Sequence, residues 1–554
     1  MTEGPGEAEL YFLPLGGTGE IGMNLNLYGH AGAWLMVDLG VTFGDPRLPG
    51  VDVIMPDPTF IEDRREALAG LVLTHAHEDH IGAVGHLWPH LRCPVYATAF
   101  TAAMVMPKLV EAGIDGEVEL IEIPLSGRFT VGPFEVELIT LTHSIPEPNA
   151  LVIRTSAGTV LHTGDWKLDP APLIGDDYDE AALRALADEN VLAMVCDSTN
   201  ALVDGDSGSE AEVRTVLMDL VGGLTNRVAI ACFASNVARL ETAAKVAQAH
   251  GRRVVLAGRS MQRIVQAAQD SGYLTDLPPI VSEEHLGFLP RNEVMLLCTG
   301  SQGEPRSALW RIANDDHPNA VLEEGDAVIF SSRVIPGNEV PIFRLHNLLV
   351  RNGIEVITSD DHFVHVSGHP AREELTQMYQ WVRPRVAIPV HGEARHLAEH
   401  ARIARACQVP EQIVGENGAL IRLAPPPAGI VAQVPSGRVV LDGTRLLSAD
   451  SPVLRARQRM TYNGMAVVTV VLGKNGHVVG EPQITVPGLL DPEDDADTIA
   501  DLSDAVCGAL DGLSAGRRRD DEAVREAARL TVRRALSRLL GKKPPTEVHL
   551  VRTK

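Results

Sequence analysis

The stretch LTHAHEDHIGAVGHL, residues 73–87, decides what fold to expect for this chain. The apolar run GLVLT that overlaps its start, residues 70–74, predicts a buried strand. Apolar residues at helical spacing after residue 80 predict a helix. The loop between the strand and the helix can turn four polar side chains toward one point: His75, His77, Asp79 and His80.

These four residues have the chemistry of a metal site. Neutral imidazole and carboxylate groups are common ligands of zinc and manganese. The alternative is a polar loop with chance histidines, because the chain has 20 of them. The block HxHxDH favours metal binding, whereas His86 and His90 on the following helix are expected to be surface or packing residues.

One loop cannot complete two coordination spheres, so further ligands must come from elsewhere in the chain. His143 ends the alternating run VELITLTH, Asp165 follows GTVLHTG, and His391 follows VAIPV. Each of the three comes directly after a run that predicts a strand. The sequence therefore predicts a metal site built at strand ends.

Composition limits the class of protein. The chain has 554 residues, of which 45% are hydrophobic and 22% are charged, with a mean hydropathy of +0.03. Two or three well-packed domains are expected at this length. The absence of a long apolar run or a signal-like start, together with six scattered cysteines, predicts a cytoplasmic protein with no membrane partner.

The formal net charge of −25 would by itself argue against a nucleic-acid partner. However, two divalent cations would add about four positive charges at the site itself. The charge therefore indicates solubility and does not identify the substrate.

The order HxHxDH, His, Asp, His resembles the metallo-β-lactamase superfamily of hydrolases. The start FLPLGGTGEIGMNLNLY, residues 12–28, fits the first hairpin of that superfamily. The resemblance implies an α/β fold in which two sheets face each other between helices, an αββα sandwich. The metals are then expected at one edge of the sheets.

More than two hundred residues separate Asp165 from His391, and their strand–helix alternation predicts an inserted α/β domain. The insert and its flanks carry the motifs CDSTNA, CFASN, CTGSQGEP, FSSRVIPGNE, HVSGH and PVHGE. With GGTGEIGMN and THAHEDHIGA, they resemble the ribonuclease J family of the β-CASP nuclease branch. Met23, Ala76 and Pro370 depart from the family pattern without removing a ligand, although Pro370 would stiffen the segment after His369.

We expect five segments. Residues 1–205 and 359–425 form the two parts of the metallo-β-lactamase domain, and residues 206–358 form the inserted β-CASP domain. A Pro- and Gly-rich linker is predicted for residues 426–450. Residues 451–554 predict a small α+β domain with a hairpin that turns at Asn475–Gly476 and a long amphipathic helix that ends at Gly541.

The resemblance implies roles for the ligands. His75, His77 and His143 would hold one ion, Asp79, His80 and His391 would hold the second, and Asp165 would bridge both. The ions would be Zn²⁺ or Mn²⁺, which the sequence does not distinguish. Asp79 is also expected to be essential for catalysis.

The resemblance also implies a proton donor and a pocket for a 5′-monophosphate. His369 would protonate the leaving 3′ oxygen of RNA, and Asp197 would orient it. Alternatively, Asp197 is a turn or capping residue. The pocket would be formed by His365, Val366, Ser367, Gly368 and His369 of HVSGH together with Ser235 and Asn236 of CFASN.

Some assignments stay open at this stage. Ser235 and Asn236 could simply cap the helix that follows them. Arg259 and Arg333 are candidate phosphate partners, but solvated arginines are the default. Asp52 and Asp442 could hold a structural cation such as Ca²⁺, or they could be ordinary turn aspartates.

The expected function is that of a two-metal ribonuclease in RNA maturation and decay. It would combine 5′→3′ exonuclease activity, with a preference for 5′-monophosphorylated RNA, and endonuclease activity. Self-association into dimers or tetramers and RNA-degradation partners are expected. The alternatives are a small-molecule hydrolase on the same fold, which would not explain the insert or HVSGH, a DNA nuclease of the β-CASP branch, and a nucleic-acid-binding relative without a working metal site.

Overall fold

The computed structural model describes residues 4–553, which form two compact units. The first unit comprises the described residues up to Thr42 together with Met55–Gly437. The second unit comprises Phe43–Ile54 together with the chain from Arg438 onward. The sequence did not reveal that residues 43–54 would belong to the second unit.

The first part of the chain supplies most of a sandwich of two sheets. The strands of this part of the chain are β1 Leu10–Gly16, β2 Thr18–Gly19, β3 Leu25–His30, β4 Ala33–Val37, β5 Thr42–Phe43, β6 Val53–Pro56, β7 Leu68–Val72, β8 Val95–Ala97, β9 Leu120–Glu122, β10 Arg128–Val131, β11 Phe134–Thr140, β12 Asn149–Thr155, β13 Gly158–His162 and β14 Ala193–Asp197. Strands β2, β5 and β6 lie outside the two sheets of the sandwich. The helices of the same part are α1 Thr59–Glu62, α2 Glu78–Ile81, α3 Val84–Leu91, α4 Ala99–Ala112 and α5 Glu180–Ala185. The predicted strand and helix on either side of the HxHxDH loop are therefore present.

The inserted segment and the return to the sandwich complete the first unit. The insert contains α6 Glu210–Gly223, β15 Val228–Ala231, α7 Val237–Ala249, β16 Arg253–Ala257, α8 Arg259–Asp270, β17 Ile280–Val281, β18 Val294–Cys298, α9 Ala308–Ala313, β19 Ala327–Phe330, α10 Glu339–Arg351 and β20 Glu355–Ile357. The return contains α11 Arg372–Val382, β21 Val386–Val390, β22 Gly392–Glu393, α12 Ala394–Ala406, β23 Glu411–Gln412, β24 Ala419–Ala424 and β25 Gly429–Gln433.

Two large sheets face each other, as the family resemblance implies. One has the strand order β25-β24-β1-β3-β4-β7-β8-β9, and the other has the order β10-β11-β12-β13-β14-β21-β23. Side chains such as Phe12 and Val72 from the first sheet and Leu151 and Ile388 from the second share one buried apolar core. A second core packs the outer face of the second sheet against α5, α11 and α12.

Strand direction explains where the site lies. Strands β13, β14 and β21 are parallel, and β11 runs the same way because β12 is antiparallel to both β11 and β13. The carboxyl ends of these four strands therefore meet at one edge of the sheet. Asp197 ends β14, and the segments that follow the other three strands carry His143, Asp165 and His391.

The insert has its own sheet of six parallel strands, in the order β17-β16-β18-β15-β19-β20. Helices alternate with these strands along the chain, which is the α/β pattern the sequence predicts. Apolar side chains of the strands and of α9 and α10 form a separate core. The motifs CFASN and FSSRV follow β15 and β19, so they lie at the carboxyl edge of this sheet.

The second unit carries the predicted hairpin and long helix. Its elements from Arg438 onward are β26 Arg438–Asp442, β27 Arg445–Ser448, α13 Pro452–Asn463, β28 Ala466–Leu472, β29 Gln483–Thr485, α14 Ala496–Asp511, α15 Ala515–Arg518, α16 Asp521–Leu540 and β30 Thr546–Arg552. Strand β28 pairs antiparallel with β29 and parallel with β30. Helices α14 and α16 contribute Val506 and Val532 to the core that also buries Val468 and Val470 of β28.

The predicted linker over residues 426–450 is wrong. Strand β25 lies in this range and pairs with β24 at the edge of the eight-stranded sheet, and β26 and β27 form a hairpin in the second unit. Proline and glycine are tolerated at a sheet edge because the outward N–H groups need no strand partner. A Pro- and Gly-rich composition therefore did not distinguish an edge strand from a linker.

Across the described residues, we find no helix that combines the length and the apolar character needed to span a membrane.

Candidate metal centre

The HxHxDH loop runs from the end of β7 into α2, and its histidines point inward. His75 and His80 are buried, and His77 and Asp79 are partly buried. The side chains at the ends of β11, β13 and β21 meet them. All seven predicted ligands are thereby brought to one place, in two clusters that share Asp165.

The first cluster is rich in imidazole. It contains His75, His77, His143 and Asp165, each offering one ligand atom, and all of these atoms lie within 4.8 Å of one another. His77 Nδ1 lies 3.0 Å from His75 Nε2 and 3.0 Å from His143 Nε2. Burial lowers the pKa of His77 to about 4 and holds those of His75 and His143 well below their usual range, so all three rings are in the neutral form that binds a metal.

The second cluster is richer in carboxylate. It contains Asp79, His80, Asp165 and His391, again within 4.8 Å. His391 Nε2 lies 3.2 Å from Asp79 Oδ2, and His80 Nε2 lies 3.1 Å from Asp165 Oδ2. The first cluster offers three imidazoles and the second offers two imidazoles and the Asp79 carboxylate. With Asp165 shared, this donor set fits two divalent cations.

Outer hydrogen bonds fix the orientation of the ligand rings. Asp38 follows β4, is fully buried, and accepts hydrogen bonds from the Thr74 N–H at 2.8 Å and from His80 Nδ1 at 2.7 Å. His143 Nδ1 donates to the Gly368 carbonyl oxygen. His80 and His143 therefore present Nε2 to their clusters, which is the usual way a protein fixes the tautomer of a ligating histidine.

Close packing at Gly368 makes the hydrogen bond between His143 Nδ1 and the Gly368 carbonyl oxygen possible. A Cβ atom added at Gly368 would lie 2.6 Å from the ring of His143. Only glycine lets the HVSGH backbone approach the His143 ring this closely.

Sequence reasoning missed Asp38 and Thr199. Thr199 donates its hydroxyl proton to Asp197 Oδ1 over 2.7 Å, and its Oγ1 lies 3.0 Å from His391 Nδ1. Asp38 could have been found by the rule that found Asp165, since it directly follows the apolar run AWLMV. Nothing in the local sequence singles out Thr199.

His369 and Asp197 lie next to the second cluster. His369 Nδ1 is 2.8 Å from Asp197 Oδ2 and 3.8 Å from Asp165 Oδ2. Burial disfavours the charged ring, but the two carboxylates outweigh burial and raise the pKa of His369. The other oxygen of Asp197 accepts from the Thr199 N–H, so Asp197 is both the turn residue and the partner of His369.

The HVSGH segment lies between the clusters and the insert. Ser367 accepts a hydrogen bond of 2.7 Å from Asn200, and Val366 is buried. The His365 Nδ1 atom is buried with no hydrogen-bond partner among the described residues. Burial, followed by the charges of Arg239, Arg333 and Lys167, lowers the pKa of His365 to about 3.

Other predicted binding residues have different surroundings. Asn236 caps α7, accepting from the Arg239 N–H at 2.9 Å, and its amide lies 3.3 Å from Glu210 Oε1. The capping alternative therefore accounts for the Asn236 side chain, while Ser235 is partly buried beside it. Arg259 and Arg333 are exposed at the carboxyl edge of the inserted sheet.

The expected cation at Asp52 and Asp442 has an arginine in its place. Arg457 donates from Nη1 to Asp442 Oδ1 at 2.8 Å and from Nη2 to Asp442 Oδ2 at 2.9 Å. A guanidinium with this geometry satisfies both carboxylate oxygens. Asp52 is exposed, and the two residues form no metal-ligating cluster in the chain from 4 to 553.

Paired sheets with a double histidine–aspartate cluster at their strand ends define a metal-dependent hydrolase of the metallo-β-lactamase superfamily. Family models agree with this over four segments of the chain. Residues 49–192 match the beta-lactamase superfamily domain, and residues 353–409 match the Zn-dependent metallo-hydrolase RNA specificity domain. Residues 225–349 match the ribonuclease J beta-CASP domain, and residues 452–553 match the ribonuclease J C-terminal domain.

Relatives define the family within this superfamily. The chain is 44% identical to ribonuclease J of Sinorhizobium meliloti over 99% of this chain and 98% of that protein. It is 37% identical to ribonuclease J of Mycolicibacterium smegmatis, covering 97% and 96% of the two chains. The chain therefore belongs to the ribonuclease J family, which makes it a metal-dependent ribonuclease that uses divalent ions.

A solved structure shows the fold alone. A protein of unknown function from Enterococcus faecalis matches with a TM-score of 0.52 and 18% identity. The match covers 75% of this chain and all of that chain.

Proposed function

We propose that this protein is a two-metal ribonuclease that removes nucleotides from the 5′ end of RNA, prefers a 5′-monophosphate, and also cuts internally. The observation that carries the proposal is the pair of clusters sharing Asp165, with His369 and Asp197 beside them. Seven side chains would hold two Zn²⁺ or Mn²⁺ ions: His75, His77 and His143 at one, Asp79, His80 and His391 at the other, and Asp165 at both.

When bound, the two ions would supply a nucleophile from water at neutral pH and neutralise charge on the phosphate. The protein supplies the rest. His369 holds a proton because Asp197 and Asp165 stabilise its charged form. Its Nδ1 faces Asp197, which leaves Nε2 to donate a proton to the 3′ oxygen that leaves.

The preference for a 5′-monophosphate rests on the HVSGH segment. Ser367 and the Gly368 backbone offer hydrogen-bonding groups, and the buried His365 Nδ1 has a hydrogen-bonding position to fill. Arg333 contributes positive charge near His365 and has no carboxylate partner among residues 4–553. A phosphate held there would place the chain end at a set distance from the metal centre, which favours stepwise release of mononucleotides.

The test uses purified protein with Mn²⁺ or Zn²⁺ and matched oligonucleotides. We expect 5′-monophosphorylated RNA to be degraded faster than 5′-triphosphorylated RNA of the same sequence, and both faster than matched DNA. Equal rates on the two RNAs would contradict the 5′-phosphate pocket but not the metal centre. Faster cleavage of DNA would favour the DNA nuclease.

A matched variant separates binding from chemistry. We expect Arg333→Ala to raise KM for 5′-monophosphorylated RNA and to change KM for 5′-hydroxyl RNA little. The exposed Arg253 at the opposite edge of the same sheet provides the control Arg253→Ala.

Self-association belongs to the same proposal. We infer a dimer or tetramer from membership of the family, and light scattering on the purified protein tests it. A monomer at micromolar concentration would contradict the inference.

A further inference from the structure

One buried arginine of the insert links the start of α7 to the residue that directly precedes HVSGH, and the proposed 5′-phosphate pocket draws on both of these segments. Arg239 lies in the first turn of α7 and is fully buried. Its Nη2 donates to Glu210 Oε1 and Oε2, both at 3.0 Å, and its Nε donates to Oε2 at 3.2 Å. Its Nη1 donates to the carbonyl oxygen and hydroxyl of Ser331 and, over 2.8 Å, to the Val364 carbonyl oxygen.

The residues joined in this way belong to separate parts of the chain. Val364 directly precedes His365 and the rest of HVSGH. Helix α7 begins just after Ser235, with Asn236 as its cap, and the Asn236 amide donates to the same Glu210. Ser331 reinforces the link, since its hydroxyl donates to the Val364 carbonyl oxygen at 2.7 Å.

Stability alone does not require the buried ion pair of Arg239 and Glu210. Burying two charges costs free energy that their attraction only partly returns, so an apolar pair of similar size is often as stable. An apolar pair could not join three segments through directed hydrogen bonds. The planar guanidinium, with five donors in a fixed geometry, can do so, and a lysine cannot.

We propose that Arg239, held by Glu210, is a positioning residue that sets the distance between the start of α7 and the HVSGH segment. It thereby sets the preference for a 5′-monophosphate without touching the RNA. This inference rests on the proposed 5′-phosphate pocket. It assigns the preference to the insert as well as to the residues that line the pocket.

The test compares kcat/KM for 5′-monophosphorylated and 5′-hydroxyl RNA of one sequence. In Arg239→Lys, charge is kept but the bonds to Ser331 and Val364 are lost. We expect the ratio of the two values to fall about tenfold, mainly through KM for the monophosphorylated RNA, because a small displacement of a binding group has a large effect. Thermal unfolding of the same sample establishes that the variant is folded.

A second variant covers the case in which Arg239→Lys does not fold. Ser331→Ala removes the hydroxyl between Arg239 and Val364 but leaves the ion pair with Glu210 intact. We expect the ratio to fall about threefold, the effect of roughly one hydrogen bond. The control is Arg252→Lys, a buried arginine of the same domain that donates to the Asn226 and Val294 carbonyl oxygens.

The outcomes distinguish this inference from the proposed function. If the wild-type protein shows no preference for a 5′-monophosphate, the proposed pocket fails and this inference fails with it. A wild-type preference that folded Arg239→Lys and Ser331→Ala both retain would overturn the positioning role alone. An equal fall in Arg252→Lys would also overturn it, because any buried arginine would then serve.

Discussion

Asp38 determines which nitrogen of His80 faces the second cluster. Its carboxylate accepts from His80 Nδ1 at 2.7 Å and from the Thr74 backbone, so the His80 ring cannot turn over without losing its hydrogen bond to this buried carboxylate. Asp197 has a similar relation to His369, which is not among the seven proposed ligands, but Asp197 Oδ1 also lies 3.5 Å from Nδ1 of the proposed ligand His391. Loss of Asp38 should therefore act through the ligand His80, whereas loss of Asp197 should also affect the proposed proton donor.

We expect Asp38→Asn to weaken metal binding about 10- to 100-fold, which is usual for the loss of an outer carboxylate at a metal site. Metal content after dialysis against a graded series of chelator concentrations measures the effect. The matched control is Asp326→Asn, at a fully buried aspartate of the insert that is paired with Arg291, and this variant should keep its metal. Equal metal retention in the two variants would show that Asp38 does not orient His80.

His369→Ala should lower kcat on RNA by about 10²- to 10⁴-fold, the range for loss of a general acid. A phosphodiester with a p-nitrophenolate leaving group needs no proton, so its hydrolysis should fall far less. Rates on the two substrates give the comparison. An equal loss on both would mean that His369 does not protonate the leaving group.

At the scale of single residues, sequence reasoning found groups that motifs carry and missed those that only tertiary contacts define. HxHxDH, His143, Asp165 and His391 were identifiable because each follows a predicted strand. Arg239 lies within an ordinary helical pattern, and its role depends on Ser331 and Val364, which are more than ninety residues away. Asn236 carried two possible roles, and only the folded contacts showed that its side chain caps a helix.

Helices α11 and α12 are joined to the Asp197 turn by a buried hydrogen-bonded chain. Tyr379 Oη on α11 lies 2.8 Å from His400 Nε2 on α12, and His400 Nδ1 lies 2.8 Å from Ser198 Oγ. All three side chains are buried. Burial lowers the pKa of His400 to about 4 against the attraction of Asp197, so the ring is neutral at physiological pH.

This chain of contacts predicts how stability depends on pH. A histidine whose pKa is lowered by folding stabilises the folded state fully above its unfolded pKa, near 6.5, and loses that contribution as pH falls toward 4. The loss should reach about 3 kcal/mol at pH 4. The free energy of unfolding of the wild-type protein minus that of His400→Gln should therefore shrink between pH 7 and pH 5.

Chemical denaturation at several pH values gives this difference, and other titrating groups cancel in the subtraction. A constant difference across the range would show that His400 titrates normally in the folded protein.

At the scale of elements, regular sequence patterns predicted helices and strands that are present. Segments without such a pattern were mispredicted or missed. The hairpin near Asn475–Gly476 and helix α16 follow from a turn pair and an amphipathic pattern, and both are present. Strand β25 was mistaken for a linker because edge strands tolerate the same residues as linkers. No local sequence pattern indicates that residues 43–54 belong to the second unit, because their place there depends on pairing with residues far along the chain.

For the whole molecule, all of the metal-ligating clusters found in the described part of the chain belong to the first unit. The neighbouring carboxylates of Asp79 and Asp165 repel each other unless cations or protons compensate them. The second unit has its own apolar core and no such cluster among its described residues. Metal should therefore stabilise one unit and not the other.

We expect chelation to speed amide hydrogen exchange in the loops that carry His75–His80, His143 and Asp165. Exchange in β28 and α16 of the second unit should stay unchanged. Mass spectrometry of the full chain with and without chelator measures both, and adding Mn²⁺ or Zn²⁺ back should restore protection. Equal changes in the two units, or none in the first, would contradict the prediction.

The order of the proposed ligands along the chain has a consequence for biosynthesis. Six of the seven are made by residue 165, but His391 and the proposed proton donor His369 come only after the whole insert. A ribosome must therefore translate the whole insert before the proposed nuclease centre can close. Until then, the growing polypeptide has no complete centre with which to cut the transcript that encodes it.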